Sequence, residues 1–277
     1  MIISKFISSF NSTVWMLPPG SVEMNKNHCF TYSDPKNMVA ARNMLMLLEE
    51  EEAKRDSEVF PYEIRNGDTM IFPIIGEFIP KTDAFMNFLG FISTISITKQ
   101  LRDAITREGE RLKRLILYID SPGGVSIGIP ELAKLVNEIS KTKIEVIAFS
   151  DVKIASAGYY VGSGANRIIT TPSTAIGAIG TILEIIKFDN NNPKTYLFTG
   201  GDLKASGHPR KDLSAKEMTF FSEYVTINYT KMIEDIALYR GVPIQEVKDT
   251  EGAFVQSFMN EWYVDGLVDS LEELINS

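Results

Sequence analysis

The chain has 277 residues, 44% of them hydrophobic, which is enough to bury one sizeable core and excludes a long disordered protein; domain sizes favour one domain with an attachment. Its 28 Lys and Arg against 36 Asp and Glu leave a net charge of -8, so it lacks the phosphate-neutralising surface that nucleic acid or an anionic membrane would need. The lone cysteine, Cys29, excludes an internal disulfide and fits a reducing compartment.

Taken in chain order, the opening residues 1–17 break their apolar run with Ser8, Ser9, Asn11 and Ser12, short of the roughly 7–15 consecutive apolar residues of an export signal. No window reaches the roughly 18 uninterrupted apolar residues of a membrane span. Residues 1–65 read as an amino-terminal extension of unknown role. Pro18-Pro19-Gly20 marks a turn, and Asp34-Pro35 opens an expected helix through Met38 to Lys54 that ends in the acidic block Glu49 to Glu52, a solvated face.

Residues 66–277 read as the working domain. The runs Met70 to Gly76, Leu115 to Ile119 and Ile144 to Phe149 are apolar and bounded by turn residues, as buried strands are. Between and after them, Thr98 to Arg111, Ile127 to Ile139 and the residues following Ser156 carry the helical period. Such alternation predicts an α/β fold with a parallel sheet flanked by helices. Ser214-Ala215-Lys216-Glu217 has capping-box spacing, opening a long helix with Phe221, Val225, Met232 and Ile236 on its core face and Gly241 at its end. No internal repeat is visible.

Three segments carry possible chemistry. Asp120-Ser121-Pro122-Gly123-Gly124 follows a strand, and its glycines leave backbone amides free to face a ligand at the carboxyl edge of the sheet; a plain strand-to-helix turn explains it as well. Ile154-Ala155-Ser156-Ala157-Gly158-Tyr159-Tyr160 sets one hydroxyl among small residues at a helix start, where the Ala157 amide would face an oxyanion; an ordinary N-cap serine is the plainer reading. A nucleophilic serine needs a base, and the chain has only two histidines: His28 in the extension and His208 in a polar segment. A lysine made neutral by burial is the alternative, and Lys204, beside Leu203 and small residues, is the candidate; a surface lysine is the plainer reading.

Together and in this order the three segments resemble the signal peptide peptidase A family, which includes the prohead, or capsid maturation, proteases of tailed phages. That family shows D-S-P-G-G after a strand, A-S-G-G-Y around the nucleophile, and G-x-x-K-x-x-x-x-P carrying the base. The counterparts are Asp120 to Gly124, Ala155 to Tyr159 and Gly201 to Pro209. The resemblance covers roughly residues 68 to 270, including Tyr239-Arg240-Gly241 and Asp265 to Asp269. It implies a Clp protease/crotonase-like spiral, Ser156 as nucleophile, Lys204 as general base, the amides of Gly124 and Ala157 as oxyanion hole, and Gly123 and Tyr159 as substrate-binding residues. It also implies an acyl-enzyme mechanism without metal or organic cofactor, a protein or peptide substrate, and a homo-oligomeric ring. Two positions depart: Ala157 and Ala178 stand where the family shows glycine and a lysine-orienting serine, and Thr174 or Thr181 could replace the latter. The phage-type branch, with scaffold or head proteins as substrates and the host cytoplasm or immature head as location, is favoured by the opening Thr13 to Leu17. The alternatives are a bacterial signal peptide peptidase, an assembly protein that has lost turnover, and an acyl-thioester enzyme of the crotonase type.

Overall fold

The computed structural model describes residues 15–16, 61–83, 86–87, 89–185, 199, 202–208 and 211–277. The expected helix over 38–54, the turn at 18–20, His28, Cys29, Gly201 and Pro209 lie outside these residues.

The central sheet has strands β2 (Glu63–Arg65), β3 (Thr69–Ile75), β6 (Arg114–Asp120), β8 (Glu145–Ser150), β10 (Arg167–Thr170) and β13 (Gly266–Leu267). Their spatial order is β13-β10-β8-β6-β3-β2, parallel except for the antiparallel β2. The long apolar runs of the sequence are thus its central parallel strands, buried on both faces as parallel strands are. One face carries the larger core, in which Phe72, Leu117, Val136, Ala148, Tyr160 and Ile236 meet. The other carries a smaller cluster around Ile116, Ile147 and Phe149, covered by Leu274 and Ile275 of the terminal helix.

Each central strand from β3 to β10 is followed by a short second strand. These are β4 (Glu77–Ile79), β7 (Gly124–Val125), β9 (Lys153–Ala155) and β11 (Ala175–Gly177). A helix then follows in each case: α1 (Thr94–Glu108, after the extra strand β5, Phe91–Ser93), α2 (Ile129–Ser140), α3 (Ala157–Ser163) and, more remotely, α4 (Ala215–Arg240). The chain therefore repeats a strand-strand-helix unit four times with no sequence repeat behind it. This is the mixed α/β architecture with helix-flanked parallel strands that the alternation predicted. The second strands form two small sheets: β1 (Trp15–Met16) with β7, β4 and β5, and β12 (Phe254–Gln256) with β11 and β9.

The capping box at the start of α4 is present in full, since Ser214 Oγ accepts from the Glu217 amide while the Glu217 carboxylate accepts from the Ser214 amide. Gly241 ends the helix at φ 66°, in the left-handed conformation glycine tolerates. The sequence pattern overstated its core contact. Met232 and Ile236 are buried, but over residues 215–231 only Glu217 is, and Met218, Phe220, Tyr224 and Ile227 face solvent. Helix α5 (Ile244–Lys248) and helix α6 (Leu271–Asn276) complete the described chain, and none of the described helices is long and apolar enough to cross a membrane.

Candidate active site

At the carboxyl edge of the central sheet, β9 delivers Ser156 to the start of α3. The Ser156 amide donates to the Gly177 carbonyl at 2.8 Å, and its carbonyl accepts from the Tyr160 amide at 2.9 Å, closing the first helical turn. Between these bonds the backbone takes φ 53° and ψ -117°, a conformation L residues rarely adopt and which costs roughly 1–3 kcal/mol. The side chain is fully buried, and among the described residues its Oγ has no hydrogen-bond partner. An ordinary N-cap serine sits in extended backbone with its oxygen accepting from the helix's first turn. Ser156 does neither, so the plainer reading of this motif does not describe it.

Ala157 opens α3, where a helix leaves its first amides without intrahelical partners. Gly158 packs closely on Ser121, since a Cβ there would lie 3.2 Å from it. Ser121 itself joins the first two motifs. Its amide donates to the Lys153 carbonyl at 2.9 Å, its carbonyl accepts from Ala155 at 3.1 Å, and its Oγ accepts from the Gly123 amide at 3.2 Å. The Gly123 amide is thereby occupied within its own turn. Gly124, at φ 149°, has no alternative residue: a Cβ would fall 2.1 Å from the Phe78 carbonyl oxygen. Asp120, leading the motif, is raised above the ordinary carboxylate range by burial, opposed by nearby Lys153.

Tyr159 is fully buried, donates to the Tyr263 carbonyl at 3.2 Å and stands edge-on to the Tyr263 ring at 5.7 Å. Its neighbour Tyr160 is likewise internal and donates to Asp235. Both tyrosines lock α3 into the core, while Ile127, 53% exposed, lies near the glycine motif.

Lys204 sits on a run of turns, 202–208, that packs on the start of α4: Gly207 approaches Phe221, and Asp202 pairs with Lys216 at 2.7 Å. Contrary to the expected burial, Lys204 is exposed, and it has no hydrogen bond or ion pair with other described residues. Leu203 is half-buried, so the small apolar neighbours reach inward without carrying the lysine with them. His208 is half-buried in the same turns, its amide donating to the Ala205 carbonyl at 3.1 Å. The structure thus gathers Ser156, Ala157 and the glycine motif at one edge and leaves Lys204 on the surface of a neighbouring segment.

Ala178 follows Gly177, whose carbonyl holds the Ser156 amide. Both threonine substitutes are already committed, Thr174 Oγ1 to the Ser150 carbonyl at 2.9 Å and Thr181 Oγ1 to the Val225 carbonyl at 3.2 Å. From Ala178 a groove of about 600 Å³ runs between residues 178–182 and Val225 and Tyr229 of α4. No motif announces this groove, because its two walls lie some 45 residues apart in the chain. Nor did it show that β1 would pair with β7 beside Gly124.

A sequence model of Peptidase family S49 matches residues 138–273. A protein named as a signal peptide peptidase SppA in Enterococcus faecium is 27% identical over 60% of this chain and 49% of its own. Capsid assembly protease C of Escherichia phage lambda is 24% identical over 78% of this chain and 48% of its own. The chain spans about half the length of these curated relatives. Among solved structures, a 1510-N membrane-bound stomatin-specific protease variant aligns over 77% of this chain at 17% identity and a TM-score of 0.45. The resemblance drawn from the three motifs therefore holds: over residues 138–273 the chain is similar to Peptidase family S49, and signal peptide peptidase A proteins and phage capsid assembly proteases are among the relatives it matches.

Proposed function

We propose that the chain is a serine endopeptidase in which Ser156 attacks the peptide carbonyl and Lys204 is the base. The observation that carries this reading is Ser156 itself: a buried hydroxyl without a partner among the described residues, on strained backbone, at the start of a helix. Backbone strain and unsatisfied buried polar groups persist where function retains them.

In the proposed reaction Lys204 Nζ takes the Ser156 hydroxyl proton as Oγ bonds to the carbonyl carbon, and the amides of Gly124 and Ala157 hold the oxyanion. Loss of one such donor typically costs about 3 kcal/mol of transition-state stabilisation. Collapse breaks the C–N bond, and the amine leaves with the proton from Lys204. Water then gives a proton to Lys204 and attacks the ester; release of the acid returns the proton to Ser156. Lys204 must be desolvated to act this way at neutral pH. Since it is exposed in the single chain, it is assigned to a homo-oligomeric ring in which it serves the Ser156 of a second copy and is covered by that copy's surface. The apolar residues Met218, Phe220 and Ile227 on the adjoining half of α4 support such a contact.

Capsid or scaffold proteins are the substrates this reading favours, because similarity to the lambda protease extends over 78% of the chain against 60% for the SppA relative. The test is cleavage of a denatured scaffold-like protein by wild type, Ser156→Ala, Lys204→Ala and His208→Ala, with oligomer size recorded for each. Loss in the first two variants and retention in the third supports the dyad. A dead His208→Ala with active Lys204→Ala refutes the base assignment, and an inactive wild type favours the assembly-protein alternative.

A further inference from the structure

In the small sheet β1-β7-β4-β5, strand β7 has β4 on one side and Trp15–Met16 on the other. Phe78 of β4 is the parallel partner of Gly124, and its amide donates to the Gly123 carbonyl at 2.8 Å. In a parallel ladder the residue opposite Phe78 sends its own N–H and C=O the other way, because successive residues alternate in direction. The Gly124 amide therefore points away from β4, toward the edge occupied by Met16, its antiparallel partner. By the same alternation, Met16 and Gly124 form the pair that exchanges backbone bonds, and Trp15 and Val125 form the pair that does not.

We propose that this edge of β7 is a docking site for one extended peptide running antiparallel, and that Trp15–Met16 of the chain is its resident occupant. The site reads backbone, since the Gly124 position can carry no side chain without meeting Phe78. An extended peptide added to a free edge gains its affinity from main-chain hydrogen bonds and is sequence-tolerant at the residues that make them. The Met16 carbonyl is placed to accept from the Gly124 amide, which the mechanism above assigns to the oxyanion. Met16 thus stands where the carbonyl of a bound peptide would stand, and the extension and an incoming peptide exclude one another. Among the described residues the ladder is two residues long, and a peptide with more residues in register can displace a pairing of that length. The identity of the incoming peptide as substrate rests on the peptidase reading; the occupancy of the edge does not.

The experiment locks the occupant in place. In a Cys29→Ser, Ser156→Ala background, Trp15→Cys and Val125→Cys are introduced together, since antiparallel partners lie about 4.5–5.5 Å apart at Cα, within disulfide range. The probe is a fluorescent synthetic peptide of residues 11–20, added in trans and followed by anisotropy. The expected result is an intramolecular disulfide under mild oxidation and at least tenfold weaker peptide binding by the oxidised protein than by the same sample after reduction. Failure of the disulfide to form, equal affinity in both states, no binding to the reduced form, or an equal loss in the Trp15→Cys single variant would each overturn the proposal. Binding is read without turnover, so a wild type that cleaves nothing counts against the peptidase reading alone.

Discussion

Ser156 and Lys204 stand in opposite surroundings. The serine is enclosed by the core, its backbone bonded on both sides, its neighbours Gly158, Tyr159 and Tyr160 fixed by contacts to Ser121, Tyr263 and Asp235. The lysine is exposed on turns held to the molecule mainly through the start of α4. The described packing imposes an unfavourable conformation on Ser156 and leaves the Lys204 side chain exposed. On the proposed reading, the serine's burial would come from the fold and the lysine's from the assembly.

The largest effects test that division directly. Ser156→Ala is expected to lower cleavage about 10⁴-fold or more and Lys204→Ala about 10³-fold or more, since members of such a unit fail together. Mixed oligomers of the two inactive variants are expected to regain cleavage, because a Ser156-bearing subunit then meets a neighbour's Lys204; no regain would place the whole dyad in one chain. Next, Ile227→Asp, at a position 67% exposed on α4, is expected to reduce oligomer size by light scattering and cleavage with it. Its cost to the fold of the single chain is expected to stay within about 0.5 kcal/mol, as for other exposed sites. A folded monomer that still cleaves would place both residues' work within one chain.

Smaller effects probe the nucleophile's strain. Ser156→Gly is expected to raise stability by about 1 kcal/mol, a melting increase of about 2–4 °C, since glycine accepts φ 53° and removes a hydroxyl that has no partner among the described residues. Ser156→Ala removes the hydroxyl but keeps the strained Cβ, and is expected to gain less. The smallest effect lies on the lysine's side. The Ser214 amide and hydroxyl bonds hold the Glu217 carboxyl down to about 2. A depressed folded value gives stability that is present above the unfolded carboxyl range near 4.5 and is lost as pH falls through about 2. Glu217→Gln is expected to flatten that acid limb in thermal melts from pH 5 to 2 and to loosen the turns carrying Lys204.

The central strands were legible because burial on both faces leaves continuous apolar runs, as in Leu115 to Ile119, and α4 was legible at its ends because Ser214, Glu217 and Gly241 each have a specific backbone task. The second strand of each unit was not, since Gly124–Val125 is too short to carry any period. At the site, the motifs located Ser156, but nothing in A-S-A-G announces its φ of 53°, held between a backbone bond to Gly177 across the fold and one to Tyr160 a helical turn on. The burial expected for Lys204 was read from Leu203 and small neighbours, and short turns let those residues point in while the lysine points out. Long-range pairings such as Trp15 with Val125 leave no local trace at all.

Helix α4 carries one more consequence. At 1.5 Å per residue its 26 residues span about 39 Å, yet burial within the described structure divides it sharply at Met232. A single unbroken helix would then show two classes of amide hydrogen exchange: fast over residues 218–231, where opening needs only local fraying, and slow over 232–240, where it needs the core to separate. Assembly would erase the boundary. The exchange profile of this one helix therefore reports, residue by residue, how much of the chain's order is its own and how much is lent by a neighbour.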